Sequence, residues 1–185
     1  MIYFVIALKS EAQAFVDKYK LSKENAHGFL LFKSANMRLI VSGMGVQNAR
    51  FATQTLINLY DISDEDIFVN VGICGAEKSY AIGECLTINA IEYENHLHRL
   101  THTQGKTISC VDTPILDGYY ELVDMESFGF FDAVMHSPAI KNIYIFKVVS
   151  NHFEPQKVSR DGAKNLIFKA IGFIEEQLTH GDECS

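Results

Sequence analysis

The sequence has no long run of basic residues, no paired-cysteine motif and no long apolar stretch, and each absence excludes a class of protein. Its formal net charge of −7 would repel nucleic acid or an anionic membrane. The four cysteines show no CxxC pair and no zinc-type spacing, which predicts free thiols in a reducing compartment. No apolar stretch approaches the roughly 18 residues of a membrane span. We therefore expect a cytoplasmic protein whose partner is a small, nearly neutral molecule.

The length of 185 residues fits one domain. We expect a single domain over residues 1–180 and a short C-terminal tail over 181–185, with no repeats or linkers. The opening MIYFVIALKSEAQAF lacks the basic segment that begins a secretory signal peptide. The chain is thus expected to act without a targeting segment.

Short apolar runs alternate with amphipathic stretches along the chain. Ser10 is expected to cap the first helix. The pattern predicts buried strands over 2–8, 67–71 and 143–149 and further strands over 28–33, 37–42, 83–93 and 107–111. It predicts helices after Ser10 and over 46–60, 122–135 and 159–178. The glycine-bearing segment 72–76 is expected to form a loop, as is the polar segment 94–106. Strands alternating with helices predict a three-layer α/β sandwich with a mixed, largely parallel central sheet. Ligands bind beyond the carboxyl ends of such strands.

Six short motifs occur in one order along the chain: ALKSEAQAF (7–15), SGMG (42–45), NVGICGA (70–76), IGE (82–84), VDMESFG (123–129) and VVSN (148–151). Their order and spacing resemble the purine nucleoside phosphorylase superfamily, and above all its hydrolytic branch, the methylthioadenosine/S-adenosylhomocysteine nucleosidases. The resemblance covers nearly the whole chain, although the chain is shorter than typical members. It implies a nucleoside phosphorylase-like fold, a purine nucleoside as ligand, a homodimer, and an enzyme with no cofactor and no metal.

Glu11 is the first candidate catalytic residue. The resemblance implies that its carboxylate orients and deprotonates the attacking water. Cleavage of an N-glycosidic bond passes through a cationic, oxocarbenium-like sugar, which a nearby carboxylate stabilises. The alternative is a glutamate in the first turn of a helix, where its charge interacts with the helix dipole.

Met125 and Glu126 match the Met-Glu pair of the family. The resemblance implies that the methionine packs against the ribose and that the glutamate accepts hydrogen bonds from its hydroxyls. A carboxylate has two oxygens for a vicinal diol, which explains the residue type. The alternative is a solvent-exposed helical glutamate beside Asp124.

The glycine-bearing turns allow the backbone to approach a ligand closely, although ordinary tight turns have the same composition. The remaining residues expected to bind substrate are Ser42, Gly43, Cys74, Gly75, Thr113, Ile115 and Ser150. Phosphorylases of this superfamily carry arginines in these regions to hold phosphate, and Asn70 stands where one of them would be. Hydrolysis is therefore favoured over phosphorolysis.

Asn151, the second candidate catalytic residue, departs from the family because the nucleosidases have an aspartate there that donates a proton towards purine N7. An amide donates a hydrogen bond but no proton, and general acid catalysis contributes about 10²–10⁴-fold. The enzyme is then slow, or takes another leaving group such as a 6-oxopurine, or is a catalytically silent nucleoside-binding homologue. Lys147 replaces a family arginine near the water-activating glutamate and lacks its planar fork.

Several other polar residues have two interpretations each. Three histidines predict a solvated loop rather than a metal site, because no matching carboxylate or cysteine spacing accompanies them: His96, His98 and His102. His152 is a second candidate proton donor. Tyr119 and Tyr120 either stack on a base or pack within the protein. The sequence as a whole predicts a purine nucleosidase acting on a methylthioadenosine/S-adenosylhomocysteine-like or futalosine/inosine-like nucleoside, with a phosphorylase or a silent homologue as alternatives.

Overall fold

The computed structural model describes residues 1–100, 104–116 and 119–180, which contain ten strands, four α-helices and one short 3-10 helix, Pro155–Lys157. The strands are β1 Ile2–Ile6, β2 Ser22–Ala26, β3 Phe29–Lys33, β4 Met37–Val41, β5 Ile67–Ala76, β6 Cys85–Tyr93, β7 His96–Arg99, β8 Lys106–Cys110, β9 Leu122–Asp124 and β10 Asn142–Asn151. The helices are α1 Lys9–Tyr19, α2 Val46–Leu59, α3 Ser127–Met135 and α4 Arg160–His180. The expected tail at 181–185 and His102 lie outside the described residues.

The strands form one mixed sheet. Its centre is the parallel set β10, β5, β1 and β4, in that spatial order. An antiparallel meander of β4, β3 and β2 extends one side. On the other side β6, β8 and β9 run from β10 back to β5. The parallel centre brings the carboxyl ends of β1, β4, β5 and β10 to one edge, where ligands bind in such sheets.

Helices cover both faces of the sheet, so the molecule has three layers and two apolar clusters. One cluster joins the sheet to α2 and α3 through side chains such as Leu56 and Phe130. The other joins it to α1 and α4 through side chains such as Phe15 and Ile171. Strands buried on both faces are continuous apolar runs, as in β1 and β10. The three-layer α/β fold with a mixed sheet that the sequence predicts is confirmed.

Four local predictions are wrong. The glycine-bearing segment after Val71 continues as strand to Ala76, because β10 and β9 pair with it. The polar segment contains strand β7, which pairs with β6. The predicted helix 122–135 begins as strand β9 and becomes helical only from Ser127. Leu8, not Ser10, is the residue that caps α1. In the first three cases pairing with distant strands overrides the local pattern, and in the fourth the Glu11 side chain bonds to the backbone N–H of Leu8.

Strand β2 has no apolar alternation and was not predicted; it forms because it pairs along its whole length with β3. Within the described residues, no helix combines the length and the apolar character needed to cross a bilayer.

Candidate active site

A cavity opens at the carboxyl edge of the central strands, as the topology predicts. Its volume is about 710 Å³ including the open mouth. Much of its wall is apolar: Ala7, Leu8, Met44, Ile73, Val111, Pro114, Ile115, Val123, Phe153 and Pro155. Polar side chains enter the cavity from α1, from the β9–α3 junction and from the end of β10.

Glu11 lies in the first turn of α1 and lines the cavity, although only 1% of it is exposed. One carboxylate oxygen accepts the backbone N–H of Leu8 at 2.9 Å, and the other accepts that of Ile73 at 2.9 Å. Burial raises the pKa of Glu11 to about 7, against the opposing effect of these two hydrogen bonds. Near neutral pH the group is therefore poised between an acid and a base.

Asp124 and Lys147 form a buried ion pair beneath this part of the cavity. The Lys147 Nζ lies 2.7 Å from a carboxylate oxygen of Asp124, and both side chains are at most 1% exposed. Asp124 also accepts the backbone N–H of Ser127 at 2.9 Å and its hydroxyl at 2.6 Å. The aspartate thus fixes the start of α3 and holds the lysine of β10 at the same time.

Glu126 follows Asp124 at the same junction and lines the cavity. Its carboxylate accepts the backbone N–H of Gly45 at 2.9 Å, which ties the start of α3 to the start of α2. Gly45 has a φ of 99°, in the region that favours glycine. Burial and the nearby Asp124 charge raise the pKa of Glu126.

These charges act on one another through Lys147. Burial alone would lower its pKa, but the carboxylates of Asp124, Glu126 and Glu11 outweigh burial and raise it. At Gly72, a Cβ atom would lie 3.5 Å from Lys147 Nζ and 3.6 Å from a Glu11 oxygen, so the bare backbone of β5 passes beside both groups. Three carboxylates and one ammonium give the site an excess of negative charge when all are ionised.

Asn151 lines the cavity at the end of β10, and hydrogen bonds fix the orientation of its amide. Its oxygen accepts the backbone N–H of Glu154 at 2.9 Å. Its nitrogen donates to the Ser150 hydroxyl at 2.9 Å, which in turn donates to the Cys74 carbonyl at 3.1 Å. Because a backbone N–H can only meet the oxygen, the amide cannot be flipped. The nitrogen keeps a second N–H beyond the one bonded to Ser150.

Solved structures of nucleosidases share this architecture. Arabidopsis thaliana 5′-methylthioadenosine nucleosidase superposes with a TM-score of 0.74 at 17% identity, covering 94% of this chain and 95% of that chain. Helicobacter pylori futalosine hydrolase gives 0.76 at 11% identity, covering 97% of each chain. An aspartate-to-asparagine variant of the Helicobacter pylori methylthioadenosine/S-adenosylhomocysteine nucleosidase, with 5′-methylthioadenosine in its active site, gives 0.76 at 12%, covering 97% and 98%. The chain has the nucleoside phosphorylase-like fold. No protein-family model and no curated protein matches its sequence.

Within this nucleoside phosphorylase-like fold, most residues expected at the site lie around one cavity. They are Glu11, Cys74, Gly75, Ile115, Met125, Glu126, Ser150 and Asn151. Ser42, Gly43 and Thr113 are not among its lining residues. The backbone N–H groups of Ser42 and Gly43 instead donate to carbonyls of Ile6 and Ala7, so these two residues join the ends of β4 and β1. In the following loop Met44, not Gly43, reaches the cavity.

The secondary candidates lie elsewhere in the fold. A His152 ring nitrogen lies 3.0 Å from the Ala76 carbonyl oxygen, and His152 is not among the cavity's lining residues, so it is no substitute for Asn151. Tyr119 is 89% exposed. His98 packs its ring against Phe128 and Phe131. Asp124 is the main residue that the sequence did not single out. The signal in the sequence was that Asp124 precedes the candidate Glu126 by two residues. Two neighbouring acidic residues are also typical of a solvent-exposed helix, so the signal did not distinguish Asp124 as a site residue.

Proposed function

We propose that this protein hydrolyses the N-glycosidic bond of purine nucleosides. The observation that carries the proposal is Glu11, a carboxylate with a raised pKa that lines the cavity and is held by two backbone N–H groups. Such a group binds a water molecule, accepts its proton and faces the sugar that becomes cationic. The negative charges of Asp124 and Glu126 nearby add to the stabilisation of that cation.

The proposed reaction is a displacement at the anomeric carbon. The bond between C1′ and the purine nitrogen breaks, and its electron pair leaves with the base. The oxygen of water bonds to C1′ while its proton passes to Glu11. Glu126 accepts hydrogen bonds from the ribose hydroxyls, and Met125 packs against the sugar. Cys74, Gly75, Ile115 and Ser150 surround the rest of the ligand.

Asn151 is proposed to contact the base. Its second N–H can donate to an acceptor such as N7 or a 6-oxo group, because the amide oxygen is bonded to Glu154. The departing base is then stabilised by a hydrogen bond and takes its proton from solvent afterwards. This arrangement favours bases that leave readily as anions, so inosine-like and futalosine-like nucleosides are proposed beside methylthioadenosine-like ones.

Two alternatives rest on particular observations. Among the described residues, no lysine or arginine lines the cavity, so phosphate has no cationic partner there and phosphorolysis is the weaker proposal. The neutral Asn151 favours a silent nucleoside-binding homologue. The described cysteines Cys74, Cys85 and Cys110 are free, which supports the proposed cytoplasmic location.

The deciding experiment is the release of free base from a panel of nucleosides, followed by chromatography with and without phosphate. The panel contains methylthioadenosine, S-adenosylhomocysteine, adenosine, inosine and futalosine. We expect release without phosphate, and a loss of about 10²–10⁴-fold in Glu11→Gln because the base is removed. Glu65→Gln, an exposed glutamate in another loop, is the matched control and should keep full activity. Binding without release from any nucleoside would replace the hydrolase with the silent homologue.

A further inference from the structure

A second cavity adjoins the proposed active site on the side of α1 and α4. We call it the α1–α4 cleft; it is lined by Leu8, Lys9, Ser10, Gln13, Arg160, Asp161 and Lys164. Its volume is about 1060 Å³ including the open mouth. Leu8 lines both cavities, so the two are neighbours at the start of α1.

The α1–α4 cleft is cationic in a protein that is acidic overall. It contains three basic side chains and one acidic one, whereas the chain carries a net charge of −7. Lys164 also forms an ion pair with Asp17 at 2.6 Å, so an incoming anion would compete with Asp17 for that lysine. Lys9 and Arg160 are therefore the cations most available to a ligand. Helices α1 and α4 both begin at this cleft, and the partial positive charges of their first turns add to the side-chain charges.

The proposed position of the ribose determines which part of a nucleoside faces the cleft. Glu126 bonds to Gly45 between the starts of α2 and α3, on one face of the sheet. Helices α1 and α4 cover the opposite face. If the 2′ and 3′ hydroxyls bond to Glu126, the 5′ carbon on the far side of the ring is directed towards Leu8. Strand β5 lies between β10, which carries Asn151, and β1, which leads to Leu8. Two strand spacings correspond to about 10 Å between the base and the cleft.

The chemistry of the cleft argues against an apolar 5′ substituent. Leu8 is the one apolar residue among the seven that line it. Within the cleft, a methylthio group would find Leu8 as its only apolar lining residue. We propose that the α1–α4 cleft binds an anionic group, a carboxylate or a phosphate, carried on the 5′ side of the nucleoside. This inference rests on the proposed function, because it takes the orientation of the ribose from it.

The test is a pair of ligands of equal size that differ in charge alone. They are a nucleoside with a 5′-carboxyethylthio group and its carboxamide, each made with adenine and with hypoxanthine; the 5′-monophosphates form a third arm. Dissociation constants are measured by titration calorimetry on the full chain at low and high salt, and the cell contents are then checked for free base. We expect the carboxylate to bind about three- to tenfold more tightly than the amide at low salt, with a smaller ratio at high salt.

The variants assign the preference to the cleft. In Lys9→Gln/Arg160→Gln the ratio between carboxylate and amide should fall to about one, since two cations are removed. Lys169→Gln is the matched control, an exposed lysine on α4 outside the cleft, and should keep the wild-type ratio. The 5′-monophosphates distinguish two kinds of site. A general anion site binds both the phosphate and the carboxylate, whereas a more selective site binds only the carboxylate.

Each result has one meaning. Equal binding of carboxylate and amide, or a preference that survives in the double variant, overturns the cleft as an anion site while leaving the nucleosidase proposal intact. Anion-dependent binding, without release of base from these ligands or from the nucleoside panel above, supports the cleft and refutes hydrolysis. No binding of any nucleoside refutes both.

Discussion

At the residue scale, the environment of Glu11 determines what the cavity can do. An exposed glutamate is ionised at neutral pH and is a weak base. Burial raises the pKa of Glu11 to about 7, and the backbone N–H groups of Leu8 and Ile73 keep its oxygens in place. The same carboxyl group is therefore both oriented and sufficiently basic to deprotonate water near neutral pH.

The pH dependence of hydrolysis should follow this raised pKa. Only ionised Glu11 accepts a proton, so kcat/KM should fall as the pH decreases through about 7. Well below that value it should fall about tenfold per pH unit, and more steeply where the raised pKa of Glu126 adds a second protonation. Asn151 does not titrate, so no decrease is expected above pH 7 from this group. Rate measurements from pH 5 to 9 test this, and a profile flat across pH 7 would contradict it.

Asn151→Asp should restore a proton donor at the end of β10. An aspartate can still accept the N–H of Glu154, so the local turn is kept. We expect base release from adenine nucleosides to rise by about 10²–10⁴-fold, the usual contribution of general acid catalysis. A decreasing limb at high pH should appear, where the new acid loses its proton. Asn151→Ala, which removes both the amide and the turn, is the control and should gain nothing; equal rates in both variants would refute a role for the missing acid.

At the scale of elements, the approach of α3 to α2 depends on Gly129. A Cβ atom there would lie 2.0 Å from the Val46 carbonyl oxygen and 2.8 Å from its carbon. The glycine lowers intrinsic helix propensity, yet it lets the starts of the two helices meet where Glu126 bonds to Gly45. The backbone contact therefore helps to position a residue of the proposed ribose site.

Gly129→Ala should destabilise the protein despite alanine's higher helix propensity. We expect a loss of about 1–3 kcal/mol in the free energy of unfolding, because α2 and α3 must separate. Gly172→Ala in α4 is the matched control, since its added Cβ would meet no atom within 4 Å beyond the adjoining backbone of its own helix. It should stabilise by about 0.5–1 kcal/mol. Denaturant unfolding followed by circular dichroism measures both, and a Gly129→Ala variant at least as stable as the wild type would show that the α2–α3 contact is not tight.

At the scale of the whole molecule, exposed apolar side chains on α2, α3 and β7 support the proposed homodimer. Phe51, Leu97 and Met135 are each more than half exposed, as is Met44 just before α2. Helices α2 and α3 are held together by the Arg50–Asp132 ion pair at 2.7 Å. A second copy of the chain would remove these side chains from water.

Sedimentation should therefore give twice the chain mass of 20.8 kDa. Phe51→Glu should shift the protein towards monomers, because a charge in an apolar contact costs several kcal/mol unless it is paired. Phe168→Glu changes a comparably exposed phenylalanine on α4 and should leave the dimer intact. A wild-type protein that sediments as a monomer at all concentrations would refute the dimer.

The sequence by itself determined the layers of this protein and the general location of its site. Nearly continuous apolar runs predicted the buried strands β1 and β10, since strands buried on both faces are mostly apolar; Lys147 in β10 is the exception and is paired with Asp124. Amphipathic stripes predicted α2 and α4. The resemblance of the six motifs to a known family indicated three site residues: Glu11, Glu126 and Asn151. The structure places all three around one cavity.

Tertiary structure decided the chemistry within that cavity. Nothing local in the sequence shows that Asp124 and Lys147 pair, because they lie on elements that meet only in the folded sheet. The raised pKa of Glu11 arises from burial beneath distant segments, and the fixed amide of Asn151 arises from the turn at Glu154. Periodicity reports which face of an element is buried. Protonation and hydrogen-bond direction depend on which residues meet there, and only the fold brings those residues together.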